Sequence, residues 1–240
     1  MKDDIIIHPR KTSKERAIPD FGLLFVNPIE AKAALNAILE QGGQRGFLHN
    51  SQLAISAEGN LFIAGPAIGA PSAVLAMEKL IALGARCIIL MGWCGSVDST
   101  YSIGDIIVPS GAVCGEGTSR YYSGETHPVP SVKVVNRLKD LLEKEKLPFQ
   151  GGRIWSTDAP YRESWNHLRL LNTREQVVGV DMEFSALCTV ASFREIEFGA
   201  VLVVSDELLS SKWKPGFKNK HFQQRCIHVQ QCLLQQQVQQ

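Results

Sequence analysis

Short apolar runs closed by turn residues alternate along this chain with stretches whose apolar positions recur every three to four residues. The runs Phe21–Val26, Leu53–Ala57, Leu61–Ala64, Cys87–Met91, Ile106–Pro109, Gly152–Ser156, Val177–Val180 and Gly199–Val204 predict strands. Helical spacing predicts helices over Pro28–Leu39, Ser72–Leu83, Val132–Glu145 and Phe184–Arg194, with Gly84 closing the second of these. Strands that are apolar throughout are covered on both faces, so the alternation predicts an α/β fold: a three-layer α/β/α sandwich around a central mixed sheet. In the glutamine-rich tail, Phe222, Cys226, Val229 and Leu233 keep helical spacing and predict a terminal amphipathic helix that frays.

The 240 residues suffice for one domain, read as an N-terminal arm (1–20), the α/β body and a C-terminal helix (217–240). A hydrophobic content of 45% and a formal net charge of +1 describe an ordinary globular protein. The densest basic stretch, Arg10 to Arg16, is interrupted by Ser and Glu and reads as a solvated arm, which argues against a nucleic-acid partner. No apolar run approaches the roughly 18–20 residues that span a bilayer, and the three isoleucines at 5–7 are too few for a signal-peptide core. The six cysteines form no CxxC pair and no zinc-like spacing, so a reduced, cytoplasmic protein without a metal is expected.

Candidate chemistry gathers at predicted strand ends. The strand before residue 181 ends in Asp181-Met182-Glu183, and the strand before residue 205 ends in Ser205-Asp206-Glu207. In open α/β sheets the carboxyl ends of strands are where ligands bind, and two acids in different surroundings are what cleavage of a glycosidic bond needs. Plain structural roles fit as well: Glu183 as a first-turn glutamate at a positive helix end, Asp206 as an N-cap. The turn from Gly65 to Ser72 matches neither a P-loop nor a dinucleotide fingerprint; a tight turn capped by Ser72 fits it better than an anion site. Gly92 and Gly95, after the strand ending at Met91, would let backbone approach a small molecule, whereas Cys94 lacks activating partners and reads as structural.

Taken in order, AIGAPSAVLAMEKLIALGA (67–85), MGWCGSV and YSIGDIIVPS (within 91–110), GEGTSRYY (115–122), STDAPYRES (156–164), VDMEFSAL (180–187) and LVVSDE (202–207) resemble the nucleoside phosphorylase family over nearly the whole chain. That family includes purine and uridine phosphorylases and related nucleosidases. The resemblance implies a phosphorylase/hydrolase-like three-layer fold, a homodimer or a hexamer built from dimers, and cleavage of the N-glycosidic bond of a nucleoside. It implies no cofactor, with phosphate as a possible co-substrate. By the family pattern Glu183 holds the ribose hydroxyls, Met182 packs on the sugar, and Asp206 protonates the leaving base, with Ser205 beside it. His8 matches a histidine that reaches the ribose of a neighbouring subunit, and Arg45 an arginine donated across the same interface. Tyr161 lies next to the family's base-stacking position, which is Pro160 here. The residues that read uracil fall on Ser164 and Asn166, which tilts the base toward a purine.

The family's phosphate ligands are the largest departure. Its opening Gly-Asp-Pro-x-Arg turn is Val26-Asn27-Pro28-Ile29-Glu30 here, and its Arg-x-Gly-Thr/Ser is Leu90-Met91-Gly92-Trp93. A glutamate at position 30 would repel phosphate. By resemblance to the nucleosidases Glu30 positions an attacking water; by local pattern Asn27, Pro28 and Glu30 form a capping box. Phosphorolysis therefore stands first by family prior, hydrolysis by water second, and a nucleoside-binding protein without catalysis third, with Gly92 and Trp93 expected to line the acceptor side.

Overall fold

The computed structural model describes residues 4–208 and 212–235. Its elements are β1 (Phe21–Phe25), α1 (Pro28–Glu40), β2 (Gln44–Phe47), β3 (Gln52–Ile55), β4 (Phe62–Gly65), α2 (Ala70–Leu83), β5 (Cys87–Ser96), β6 (Ile106–Gly115) and α3 (Val132–Lys144). After these come β7 (Phe149–Thr157), α4 (Trp165–Glu175), β8 (Val177–Asp181), α5 (Phe184–Phe193), β9 (Glu197–Glu207), β10 (Lys214–Pro215) and α6 (Lys220–Gln235). The strands join in one mixed sheet in the order β10-β9-β6-β7-β8-β5-β1-β4-β3-β2. Among the described residues no helix is long and apolar enough to cross a membrane.

Strand periodicity sorts the side chains into two layers. Leu24, Ile88, Leu90, Ala200 and Leu202 pack with α2 and α5 on one face. Their chain neighbours Leu23, Ile89, Met91, Val201 and Val203 pack with α1, α3 and α6 on the other. Each large aliphatic side chain sealed this way contributes about 1.5–3 kcal/mol, which is why the strands read as unbroken apolar runs. The three-layer α/β/α sandwich expected from the alternation is the observed architecture. α2 and α5 are also tied by a two-pronged ion pair, Arg194 Nε to Glu78 Oε2 at 2.9 Å and Nη2 to Oε1 at 2.8 Å.

Several boundaries differ from the sequence expectation, each for a visible reason. β5, β6, β7 and β9 run well past their apolar cores. β5 pairs with β9 in parallel and, at Gly95 and Ser96, with β8 antiparallel. β9 pairs with β6, β6 with β7 and β7 with β8, so these strands close on one another at the end of the sheet. The segment Gly92–Gly95, expected to lie beyond the strand ending at Met91, is therefore strand. β2 was not expected because all of its residues are exposed, and α4 because only Leu168 and Leu171 of it are buried. The cap of α2 is Gly69 at φ 84°, not Ser72; that left-handed backbone is open to glycine at little cost. The described part of α6 is Lys220–Gln235, and the rest of the expected tail helix lies outside the described residues.

Candidate active site

Strand ends of the closed part of the sheet surround a cavity of about 530 Å³. β5 brings Trp93, Cys94 and Gly95; β8 brings Val180 and Asp181, with Met182 and Glu183 just beyond; β9 brings Ser205 and Asp206. The turn before α4 adds Tyr161 and Glu163, and the segment after β9 adds Leu208, Trp213 and Phe217. Glu183 and Asp206, which are distant in sequence, thus face one space. The carboxyls on its wall are those of Glu163, Asp181, Glu183 and Asp206, and no Lys, Arg or His stands among the described residues lining it.

Glu183 occupies the N-cap of α5. Its Oε1 accepts from the Gly69 N–H at 2.5 Å and its Oε2 from the Met182 N–H at 3.3 Å. The N-terminus of α2, a place where an external anion can bind, is therefore filled by this chain's own carboxylate. Burial pushes the Glu183 carboxyl above the ordinary carboxylate range, and the charge of Asp181 pushes the same way. Asp181 is held by Ser156 Oγ at 2.6 Å and by the Phe184 N–H at 2.8 Å, and burial raises its carboxyl too.

Asp206 lies within β9, which runs on to Glu207, and not at the start of a helix. Its Oδ1 accepts from Ser205 Oγ at 2.6 Å and its Oδ2 from Trp213 Nε1 at 2.8 Å. Trp213 belongs to an aromatic group with Phe217 and Trp93, ring centroids 6.3 Å and 6.0 Å apart in turn. This group gives one end of the cavity flat apolar walls, suited to a planar ring system. Cys94 lies buried beside it, and burial drives its thiol pKa far up, which fits the structural reading.

Of the sequence candidates, Glu183, Asp206, Met182, Ser205, Trp93 and Tyr161 all line the cavity. Gly92 does not: it sits inside β5, where a Cβ would come within 3.2 Å of Val26 and 3.3 Å of Leu202, so its smallness serves sheet packing. Glu30 does not line the cavity either. It lies on the inward face of α1 with Ala31, Ala34 and Leu35, buried against the Trp93 indole and the Cys226 thiol of α6. Asn27 caps α1 by position but makes no side-chain cap bond, so the capping box does not form. Glu30 Oε2 and Trp93 Nε1 are sealed without a hydrogen bond of normal geometry, and burial raises the Glu30 carboxyl. Leu90, the other position that would carry an arginine, is fully buried.

His8 and Arg45 lie away from this cavity. His8 lines a second hollow of about 750 Å³ with Ile7, His49, Leu75 and Tyr121, and Arg45 stands exposed on β2, 3.4 Å from Gln52 Oε1. The GEGTS segment is an internal anchor: Glu116 accepts from the Thr118 and Ser119 N–H groups, from Ser119 Oγ and from Ser185 Oγ of α5. Sequence reasoning missed Glu163 and Trp213. A turn sequence of mixed polarity carries no signal for the first. The second could have been suspected only as an aromatic close to the acidic strand end.

The strand ends of this α/β sheet thus bring acids and a planar aromatic wall to one cavity. The chain belongs to the phosphorylase superfamily, whose sequence model matches residues 29–235. It is 30% identical over 162 residues to guanosine phosphorylase of Halorubrum lacusprofundi, a match covering 65% of this chain and 64% of that protein. The chain thus spans a little under two thirds of the length of that relative. Among solved structures it is similar to purine nucleoside phosphorylase of Toxoplasma gondii in complex with immucillin-H, with a TM-score of 0.79 at 19% identity over 95% of this chain and 93% of that one. It is also similar to AMP nucleosidase of Bacteroides thetaiotaomicron, with a TM-score of 0.68 at 24% identity over 90% and 89%. At these identities the structural likeness is one of fold.

Proposed function

We propose that this protein cleaves the N-glycosidic bond of a purine nucleoside and releases the base, with water as the acceptor. The observation that carries this reading is the cavity wall: Glu183 and Asp206 face one space that holds several carboxyls and, among the described residues, no cation. A ribosyl group leaving its base develops positive charge, which carboxylates stabilise. Among the described residues the same wall offers no cation to hold a phosphate nucleophile. Glu183 holds the ribose hydroxyls, Met182 lies along the sugar, and Asp206 serves a ring nitrogen of the leaving base between Trp93, Trp213 and Phe217. Ser164 and Asn166 do not line the cavity, which fits the absence of a uracil reader.

A second reading keeps phosphate as the acceptor. It is favoured by Arg45, exposed on an edge strand, and by the phosphorylase names of the relatives. In that reading the protein is a homodimer, or a larger assembly of dimers, and Arg45 and His8 of one copy complete the cavity of the next. Incubation with inosine, adenosine, guanosine and uridine, with and without phosphate, separates the readings. Purine release that does not need phosphate is the expected result. Release that requires phosphate would establish the second reading, and nucleoside binding without release would leave only a binding protein.

A further inference from the structure

Glu163 is an acid of the cavity that the scheme above does not use. Glu163 follows the short turn Pro160–Arg162 and precedes Ser164, whose Oγ accepts from the His167 N–H at 3.3 Å and caps α4. Its own N–H donates to Pro160 O at 3.4 Å, so the backbone at this point is tied on both sides. The side chain lines the cavity together with Asp206. Both oxygens of Asp206 already accept hydrogen bonds, from Ser205 and from Trp213. Glu163 is a second acid on the same wall that can hold a proton for the departing base.

We propose that Glu163 and Asp206 form a single acid unit holding one proton between them, which Glu163 keeps while the cavity is empty. The inference rests on the glycosidic-cleavage reading. As the C1′–N bond breaks, its electron pair goes to the base. Asp206 gives a proton to a ring nitrogen and takes one from Glu163. Water adds to C1′ and loses a proton, and that proton returns the pair to its starting state. Base, ribose and an unchanged enzyme result.

The electrostatics agree. Burial, and after it the negative charge of Asp206, push the Glu163 carboxyl up to about 7. Two carboxyls facing one cavity oppose each other's ionisation. The other titratable groups on this wall, Asp181 and Glu183, belong to the β8–α5 end. Arg162 is a chain neighbour, and His167 of α4 packs on Trp155 with ring centroids 5.0 Å apart. The proton is present below about pH 7 and lost above it, so kcat/KM should fall as pH rises through that value.

The test is the pH profile of purine release for the wild type, Glu163→Gln and Glu163→Asp. We expect Glu163→Gln to lower kcat by about 10²-fold with KM within a few-fold, and to abolish or displace the alkaline limb. Glu163→Asp, which still carries a proton, should recover part of kcat and keep the limb. An active Glu163→Gln with the wild-type rate and profile would overturn the proposal while leaving the cleavage reading intact. So would a loss expressed in KM alone, or an Asp variant no better than Gln. A wild type that releases no purine at any pH would overturn both.

Discussion

Asp206→Asn is expected to lower kcat for purine release by about 10²-fold or more while nucleoside affinity stays within a few-fold. The substitution is nearly isosteric, and one amide oxygen can still accept from Ser205 Oγ as Asp206 does at 2.6 Å. It removes the group that passes a proton to the base, and it turns an NH₂ toward either the base or Trp213 Nε1, which now donates at 2.8 Å. Because Asp206 sits within β9 and not at the start of a helix, the loss should fall on chemistry rather than on folding. Steady-state rates beside equilibrium dialysis of the nucleoside make the distinction. A variant with near-normal turnover would take Asp206 out of the reaction.

Glu183→Gln should also lower kcat/KM by about 10²-fold or more, since hydrogen bonds to the sugar hydroxyls that tighten in the transition state supply several kcal/mol. It should differ from the Asp206 variant in its effect on stability. The native Glu183 carboxyl titrates above its unfolded range because burial, then Asp181, oppose its charge. Between the two pKa values the folded state binds more protons than the unfolded state, so stability falls as pH rises through that window. Glutamine has no charge to bury, so denaturation midpoints should decline less steeply toward alkaline pH. A variant that is inactive yet firmer at high pH is the expected pair of results. Unchanged activity, or an unchanged pH slope, would contradict the role assigned here.

The sheet and most helices were legible because burial on both faces leaves long apolar runs, as in Gly199–Val204. What the runs hid was their continuation: β5 goes on through Trp93 and Gly95 into a closed set of strands, where side-chain polarity no longer reports pairing. Asp206 and Glu183 were legible as acids at strand ends. Glu30 misled because its position after Asn27-Pro28 fits a cap equally well, whereas inside the fold the helix turns it toward α6. Consequently, exchanging Glu30 for arginine would bury a cation beside Cys226 rather than build a phosphate site. Glu163 and Trp213 acquire meaning only when separate segments meet, and no local pattern carries that.

The most direct measurement is a structure of the protein with a hydrolysis-resistant purine nucleoside analogue. The ribose hydroxyls should lie within hydrogen-bond distance of Glu183, and a purine ring nitrogen should face Asp206 against the wall of Trp93, Trp213 and Phe217. An analogue bound outside this cavity, or one that leaves either acid without contact, would contradict the assignment.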